Sequence, residues 1–383
     1  MPWQEIGTVD LRAEFIELAR SDAVSFSELC RRYSISRKTG YKWLQRFEEF
    51  GVSGLQDQSR RPTHQPARTS LQVEALVVAC HDKYPEWGPR KLRRVLTDEG
   101  HRHLPAPSTI NEILRRHNRL GSTLSEPMSW TRFEHPYPND LWQMDFKGHF
   151  PLGQQRCHPL TVLDDCSRFS LCLQACGNEQ SHTVREALTT TFRQYGLPRR
   201  MTMDNGPPWG AGGGNGRFSR LKVWLIEQGI TVGHSRPYHP QTQGKLERFH
   251  RTLKSELLGR REFDSFERCQ HAFNSWRNQY NMLRPHEALD MDRPASRYEC
   301  SQRSWKEHPP AYEYSSIDEV RKVSQDQCIS FHRYVIVVGE GFVGKHVALR
   351  PTLNDGQYTL HFCHQQIGEV DLRERTKRIR YDT

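Results

Sequence analysis

Apolar residues recur at helical spacing from Leu11 through Phe15 to Leu18, until Ser21-Asp22 interrupts them as a loop or cap pair. Ser27 is placed to cap a second short helix over Glu28–Tyr33. A third helix opens at Ser34-Ile35-Ser36 and runs past Tyr41, Trp43 and Leu44 to Phe50, with Gly51 as its stop. Two short helices joined by a tight turn, the second one basic, predict a helix-turn-helix over residues 1–55. Gln56–Thr69, rich in Arg, Pro, Ser and Gln, reads as a linker. Helical spacing then returns over Val73–Tyr84, Arg90–Glu99 and, capped by Ser108, Thr109–His117. Residues 70–120 therefore form a second helical unit, either another helix-turn-helix or winged-helix-like module or a spacer. Gly121–Pro138 is a second linker.

Between Leu141 and Ala175 the period becomes that of strands. Trp142, Met144 and Phe146 alternate with polar residues over Leu141–Phe150, and His158–Leu163 and Phe169–Leu173 are further strand runs. A helix follows over Ser181–Tyr195, closed by Gly196 and Pro198. Arg200–Met203 is a short strand that ends in Asp204-Asn205-Gly206-Pro207, a strong turn signal. Phe218–Gln228 reads as a helix with Gly229 as C-cap, Ile230–Val232 as a strand and Gln243–Leu258 as a helix. This order predicts an α/β domain with a mixed sheet over residues 136–296, and helical spacing continues over Asp264–Tyr280. Past a polar linker at Ser301–Ser316, residues 318–383 are strand-rich: Gln327–Val338, Lys345–Pro351, Gln357–Cys363 and Gln366–Leu372. Gly339-Glu340-Gly341 and Asn354-Asp355-Gly356 supply turns, so a small β-barrel is expected.

Composition narrows the partners. The 383 residues hold 55 Lys plus Arg against 45 Asp plus Glu, a net charge of +10, which favours a polyanion such as nucleic acid. Aromatic residues make up 10%, too many for a disordered chain, and no apolar run is long enough to span a bilayer. The first fifteen residues carry acids and no apolar core, which argues against a signal peptide. The ten cysteines form no CxxC pair, which fits a reducing compartment, and Cys166, Cys172 and Cys176, along a strand region, read as either core or incidental residues. Positive charge concentrates on the first helical unit. There Lys42 and Arg46 suit phosphate contacts, and Ser36, Arg37, Lys38 and Thr39 at the helix start suit base edges. Arg90, Lys91, Arg93, Arg94, Arg115, Arg116 and Arg119 give the second unit a similar character. The basic end (Arg373, Arg375, Lys377, Arg378 and Arg380) is either a DNA contact or a solvated tail.

Three carboxylates carry the chemistry. Asp145 sits in the first strand within an apolar run, where a lone carboxylate is costly. Asp204 ends the fourth strand and Glu247 lies in the last helix of the α/β order. Acids on an inner strand, a strand end and a covering helix can converge on hard divalent cations, and magnesium takes oxygen ligands. With two metals, an in-line displacement at phosphorus has both its attacking and its leaving oxygen stabilised.

Trp142-Gln143-Met144-Asp145-Phe146, Met203-Asp204-Asn205-Gly206 and the run SRPYHPQTQGKLERFHRTLK at residues 235–254 closely resemble the integrase core of retroviruses and bacterial insertion sequences. The family is the DDE transposases, whose core has a ribonuclease-H-like fold. The resemblance implies that Asp145, Asp204 and Glu247 are the catalytic triad and hold two Mg2+ ions, with Mn2+ substituting. It implies binding of an insertion sequence's terminal inverted repeats, cleavage that frees 3′-hydroxyls, and their transesterification into double-stranded target DNA. A homodimer or higher oligomer on DNA, a cytoplasmic, nucleoid-associated location, no membrane partner and an SH3-like C-terminal barrel follow in the same way. Helix spacing adds that His250, Arg251 and Lys254 stand three, four and seven places beyond Glu247, so the metal-ligating face is expected to present basic groups to DNA. Lys254 matches the family's basic residue at that spacing, and the segment Asn281–Pro294 resembles the close of the family's core domain.

Two departures stand out. The 42 residues between Asp204 and Glu247 exceed the usual spacing of the bacterial members, and the excess falls in Trp209–Gly216, glycine-rich. That stretch reads either as a mobile rim of the active site or as a plain surface insertion. The N-terminal His-His-Cys-Cys module of retroviral integrases is absent, since His101 and His103 have no suitably spaced cysteine pair, so no structural zinc is expected. Asp164-Asp165 resembles the family's second-strand turn, a turn role being favoured over metal ligation. A domesticated, non-catalytic DNA-binding protein and a purely hydrolytic nuclease of the same fold are the rival readings. Retention of all three acids argues against the first, and the flanking DNA-binding units against the second.

Overall fold

In the computed structural model, which describes residues 7–21, 23–57, 69–120, 134–203, 209, 218–234, 244–373 and 378–380, the chain divides into two units, Met1–Arg68 and Thr69–Thr383. The first holds α1 (Thr8–Arg20), α2 (Phe26–Arg32) and α3 (Arg37–Phe50) around Phe15, Ile16, Leu29, Cys30, Trp43 and Leu55. Ser25 caps α2 by accepting from the Glu28 amide, so the cap lies two residues before the expected Ser27. The helices cross closely at Gly40, where an added Cβ would meet Cys30 Sγ and Phe26 Cζ at 2.9 Å. Gly51 ends α3 at φ 62, a conformation that glycine adopts without a Cβ penalty.

The second unit begins with α4 (Leu71–Lys83), α5 (Pro89–Asp98) and α6 (Pro107–Arg116), packed around Val77, Leu92, Val95, Ile110 and Ile113. Proline, whose missing N–H is no loss in the first turn, opens both α5 and α6. The cap of α6 is thus Ala106 rather than the expected Ser108.

The central domain follows in the order β1 (Leu141–Phe146), β2 (Phe150–Leu152), β3 (Gln155–Asp164), β4 (Ser170–Cys176), α7 (Ser181–Tyr195), β5 (Arg200–Met203), α8 (Arg220–Glu227), β6 (Thr231–His234), α9 (Gly244–Leu253) and α10 (Phe266–Met282). β3 pairs antiparallel with β1, β2 and β4, and β5 joins β1 to β6 in parallel. Trp142, Met144 and Phe146 point to the α7–α8 side, with Val184, Leu188, Phe192 and Leu225. Leu163 and Leu173 pack with Leu246, Phe249 and Leu253 of α9 and Phe273, Trp276 and Tyr280 of α10. The mixed sheet between two helical layers is the α/β arrangement that the pattern predicts, here in ribonuclease-H-like order. α9 passes into a π-helical turn, Lys254–Leu258, that breaks the expected continuous helix.

The C-terminal strands are β7 (Glu319–Lys322), β8 (Cys328–Phe331), β9 (Tyr334–Val337), β10 (His346–Pro351), β11 (Gln357–Phe362), β12 (Gln365–Asp371) and β13 (Arg378–Arg380). Among the described residues they form two sheets, β12-β11-β10-β7 and β13-β9-β8, and not the closed SH3-like barrel expected. His332, at φ 50, folds Gln327–Val338 into a hairpin of two short strands, and β13 takes the edge of β9 in parallel, so the ladder does not continue round. Their apolar faces are continuous with the core beneath α8: Phe342 packs on Phe218 at 5.5 Å between ring centres. Gln365 also gives and accepts bonds at the Val232 backbone, covering the edge of β6 as a strand would.

Candidate active site

Strand alternation sets the first carboxylate. With Trp142, Met144 and Phe146 committed to the α7–α8 core, Gln143 and Asp145 lie on the opposite face, under α9. Asp145 is half-buried, and its Oδ1 accepts from the Phe146 amide at 2.8 Å. Its register partner on β3 is Thr161, whose hydroxyl donates to the Asp145 carbonyl at 2.8 Å and stands 2.8 Å from His250 Nε2 of α9. With the hydroxyl proton committed to that carbonyl, His250 donates from Nε2 as the neutral tautomer.

On α9, Leu246, Phe249 and Leu253 form the buried stripe, and Glu247, Arg248 and Arg251 are exposed, as is Lys254 at the start of the π-helical turn. His250 departs from the expectation that it shares the face of Glu247 and meets DNA: it is 9% exposed and turned into the sheet. At about 100° per residue, a position three beyond Glu247 lies about 60° to one side, next to the apolar stripe, whereas positions four and seven beyond lie closer to Glu247. Burial, with Lys147 nearby, draws the His250 imidazole down to about 3. Arg251 and Lys254, with Ser255, Arg260 and Glu86, line an open groove of about 550 Å³.

The Asp164-Asp165 turn is fully engaged in structure. Asp164 accepts from the Ser167 hydroxyl and amide and from the Asn139 amide, and burial still pushes its carboxyl above the usual range. Asp165, 1% exposed, accepts from Gln143 Nε2 at 2.8 Å and the His135 amide at 2.9 Å, and pairs with Lys245 Nζ at 2.5 Å. Burial and the neighbouring Arg168 draw the Lys245 ammonium below its usual value, against the pull of Asp165. Sequence reasoning passed over Lys245, although a cation two residues before the helical carboxylate was a visible signal.

Asp204, its turn, and the glycine-rich stretch lie outside the described residues except for Trp209, which is buried against Phe146. Among the described residues no three His, Cys, Asp or Glu side chains gather as a metal-binding group. The strand that leads to Asp204, β5, runs parallel beside β1 with Thr202 opposite Gln143.

On α3, Arg37, Lys38 and Lys42 are exposed beside Tyr41. Ser36 and Thr39, expected at base edges, are used in the cap: the Ser36 hydroxyl accepts from the Thr39 amide at 3.1 Å and meets the Thr39 hydroxyl at 2.9 Å. Arg46, expected on phosphate, donates to the Gln56 carbonyl at 2.8 Å and lies over the Trp43 ring. In the second helical unit several cations are paired internally: Arg94 with Asp98 and Asp292, Arg116 with the buried Glu74, and Arg119 with Asp82.

An integrase core domain model matches residues 135–240, and a second one matches residues 228–294. A helix-turn-helix domain matches residues 11–63, a homeodomain-like domain residues 39–114, and the C-terminal domain of the IS481 family transposases residues 318–378. The insertion element IS476 39.2 kDa protein of Xanthomonas euvesicatoria is 24% identical over 69% of this chain and 75% of its own length. A putative transposase for the insertion sequence element IS5376 of Geobacillus stearothermophilus is 25% identical over 55% of this chain and 52% of its own length. The HTLV-2 integrase catalytic core domain, solved with magnesium, superposes with a TM-score of 0.32 at 17% identity, covering 42% of this chain and 97% of that one.

Proposed function

The chain belongs to the insertion-sequence transposases of the retroviral-integrase superfamily, and from that premise we propose that it binds the ends of its element, cleaves to free 3′-hydroxyls and joins them to target DNA. The observation that carries the reading is the meeting of β1 and α9. Asp145 faces the helix that bears Glu247, through a contact made one turn further along that helix by His250. Asp204, beyond the strand next to β1, supplies the third acid.

The donor chemistry fits magnesium: Asp145 and Glu247 offer hard carboxylate oxygens. When bound, divalent cations supply the positive charge that activates an attacking oxygen and stabilises the leaving one at phosphorus. The chain's own part is to hold those acids on rigid elements. Asp145 is fixed by its own strand and Glu247 by the apolar seat of α9, while Arg251 and Lys254 meet backbone phosphate on the exposed side. Arg37, Lys38 and Lys42 dock α3 in the major groove, and two chains or more pair the element's two ends.

Duplex DNA carrying the sequences that flank the gene, incubated with Mg2+, tests this by mapping of cleaved 3′ ends and joined products. Wild type is expected to cut at defined ends and join them, and Asp204→Asn to lose about a hundredfold or more in rate with end binding intact. Nicks without joined products would establish the nuclease reading instead. Cleavage by Asp204→Asn at the wild-type rate would remove that residue from the site.

A further inference from the structure

We propose that Lys245 is a positioning residue for the acidic site, its buried ion pair with Asp165 fixing the first turn of α9 and with it Glu247. The inference rests on the reading of Asp145 and Glu247 as metal ligands. Asp165 Oδ1 is shared between Lys245 Nζ at 2.5 Å and Gln143 Nε2 at 2.8 Å, and Lys245 also donates to the Asp165 carbonyl at 3.3 Å. Gln143 lies two residues before Asp145 on β1, hence on the same face of the sheet. The ion pair therefore ties α9 to the strand of one carboxylate, two residues ahead of the other. Three residues past Glu247, His250 makes a second tie through Thr161 to the Asp145 carbonyl. Glu247 is bracketed by both.

Hydrophobic packing alone leaves α9 some freedom to slide or roll, because apolar contact is non-directional. A charge-assisted bond to a buried carboxylate, itself held by the His135 amide at 2.9 Å, has direction and removes that freedom. Lys245 has 14% of its side chain exposed and Asp165 1%, so the pair stands apart from solvent and from salt.

Calorimetric titration of the full chain with Mn2+, beside thermal unfolding and end-DNA binding, tests the assignment, with Asp145→Asn identifying heat from the acidic site. Lys245→Met is expected to weaken Mn2+ binding ten- to a hundredfold while leaving end-DNA affinity unchanged. The double variant Lys245→Met/Asp165→Asn has no orphaned charge, so its thermal midpoint should return toward wild type while Mn2+ affinity stays low. A merely structural pair would restore both together. If neither variant folds, Gln143→Leu, which unhooks Asp165 from β1 without a change of charge, carries the same expectation. Mn2+ affinity equal to wild type in the double variant, or in Gln143→Leu where that one is used, overturns the positioning role. A wild-type chain that binds no Mn2+ overturns instead the metal reading on which it rests.

Discussion

His250 is held neutral, and that gives the folded chain a pH signature. Its imidazole titrates near 3 when folded against about 6.5 when unfolded, so the unfolded state gains the proton first as pH falls. Stability from this residue is whole above pH 6.5 and is lost progressively toward pH 3, at up to about 1.4 kcal/mol per pH unit. His250→Asn removes that titration, so its unfolding free energy is expected to fall less steeply than wild type between pH 6 and 4. Parallel slopes in urea melts across that range would show that His250 is not buried as a neutral donor. The same residue shows how far sequence spacing reaches. Three residues from Glu247 licensed a shared face, but the apolar stripe at Leu246, Phe249 and Leu253 decides which side of the helix turns inward, and His250 falls on its border. Asp145 was legible because a carboxylate within an alternating apolar strand has few bland explanations. Lys245 stands visibly two residues before Glu247, but its pairing with Asp165, 80 positions away, has no local signal.

At the scale of elements, α3 presents a narrower basic face than its composition suggests. Arg46 donates to the Gln56 carbonyl and Ser36 and Thr39 form the cap, while Arg37, Lys38 and Lys42 are exposed, Lys42 lying over the Trp43 ring as Arg46 does. Arg37→Ala with Lys38→Ala is expected to weaken binding to end DNA at least tenfold, at about 1–3 kcal/mol for a base-reading cation, with Mn2+ binding unchanged. Fluorescence anisotropy showing wild-type affinity would remove α3 from the DNA interface. Helix and strand periods gave most element positions, with α7 and β5 matching their predicted spans residue for residue. Caps were less legible, since Ser25 competes with Ser27, and Pro107 leaves Ser108 one place inside α6. β7 was missed because Glu319–Lys322 carries a single apolar residue and becomes a strand only through pairing with β10.

Across the second unit, three segments expected as separate domains are packed together. Glu256, 6% exposed, accepts from Trp87 of the α4–α5 turn, from Trp276 of α10 and from Arg284, so one buried carboxylate joins the helical unit to the core. The C-terminal sheets share the apolar core beneath α8, with Lys345 paired to Glu227 at 2.5 Å. Joining of this kind is invisible to local periodicity, because each contact links residues far apart in the chain. The closed barrel failed for a related reason: the four strand runs that were expected do form strands, one of them split into β8 and β9, but ladder closure depends on which edges meet. Within the second unit, the helical segment, the core and the C-terminal sheets thus form one packed body. The decisive measurement is the joining of a pre-cut end oligonucleotide to plasmid target by full-length wild type and by Glu247→Gln, in Mg2+. Wild type should yield joined product that Glu247→Gln lacks, by about a hundredfold or more, at equal end binding. Equal joining by the two proteins would contradict the assignment of Glu247, and no joining by either would leave a DNA-binding protein without the transfer chemistry proposed.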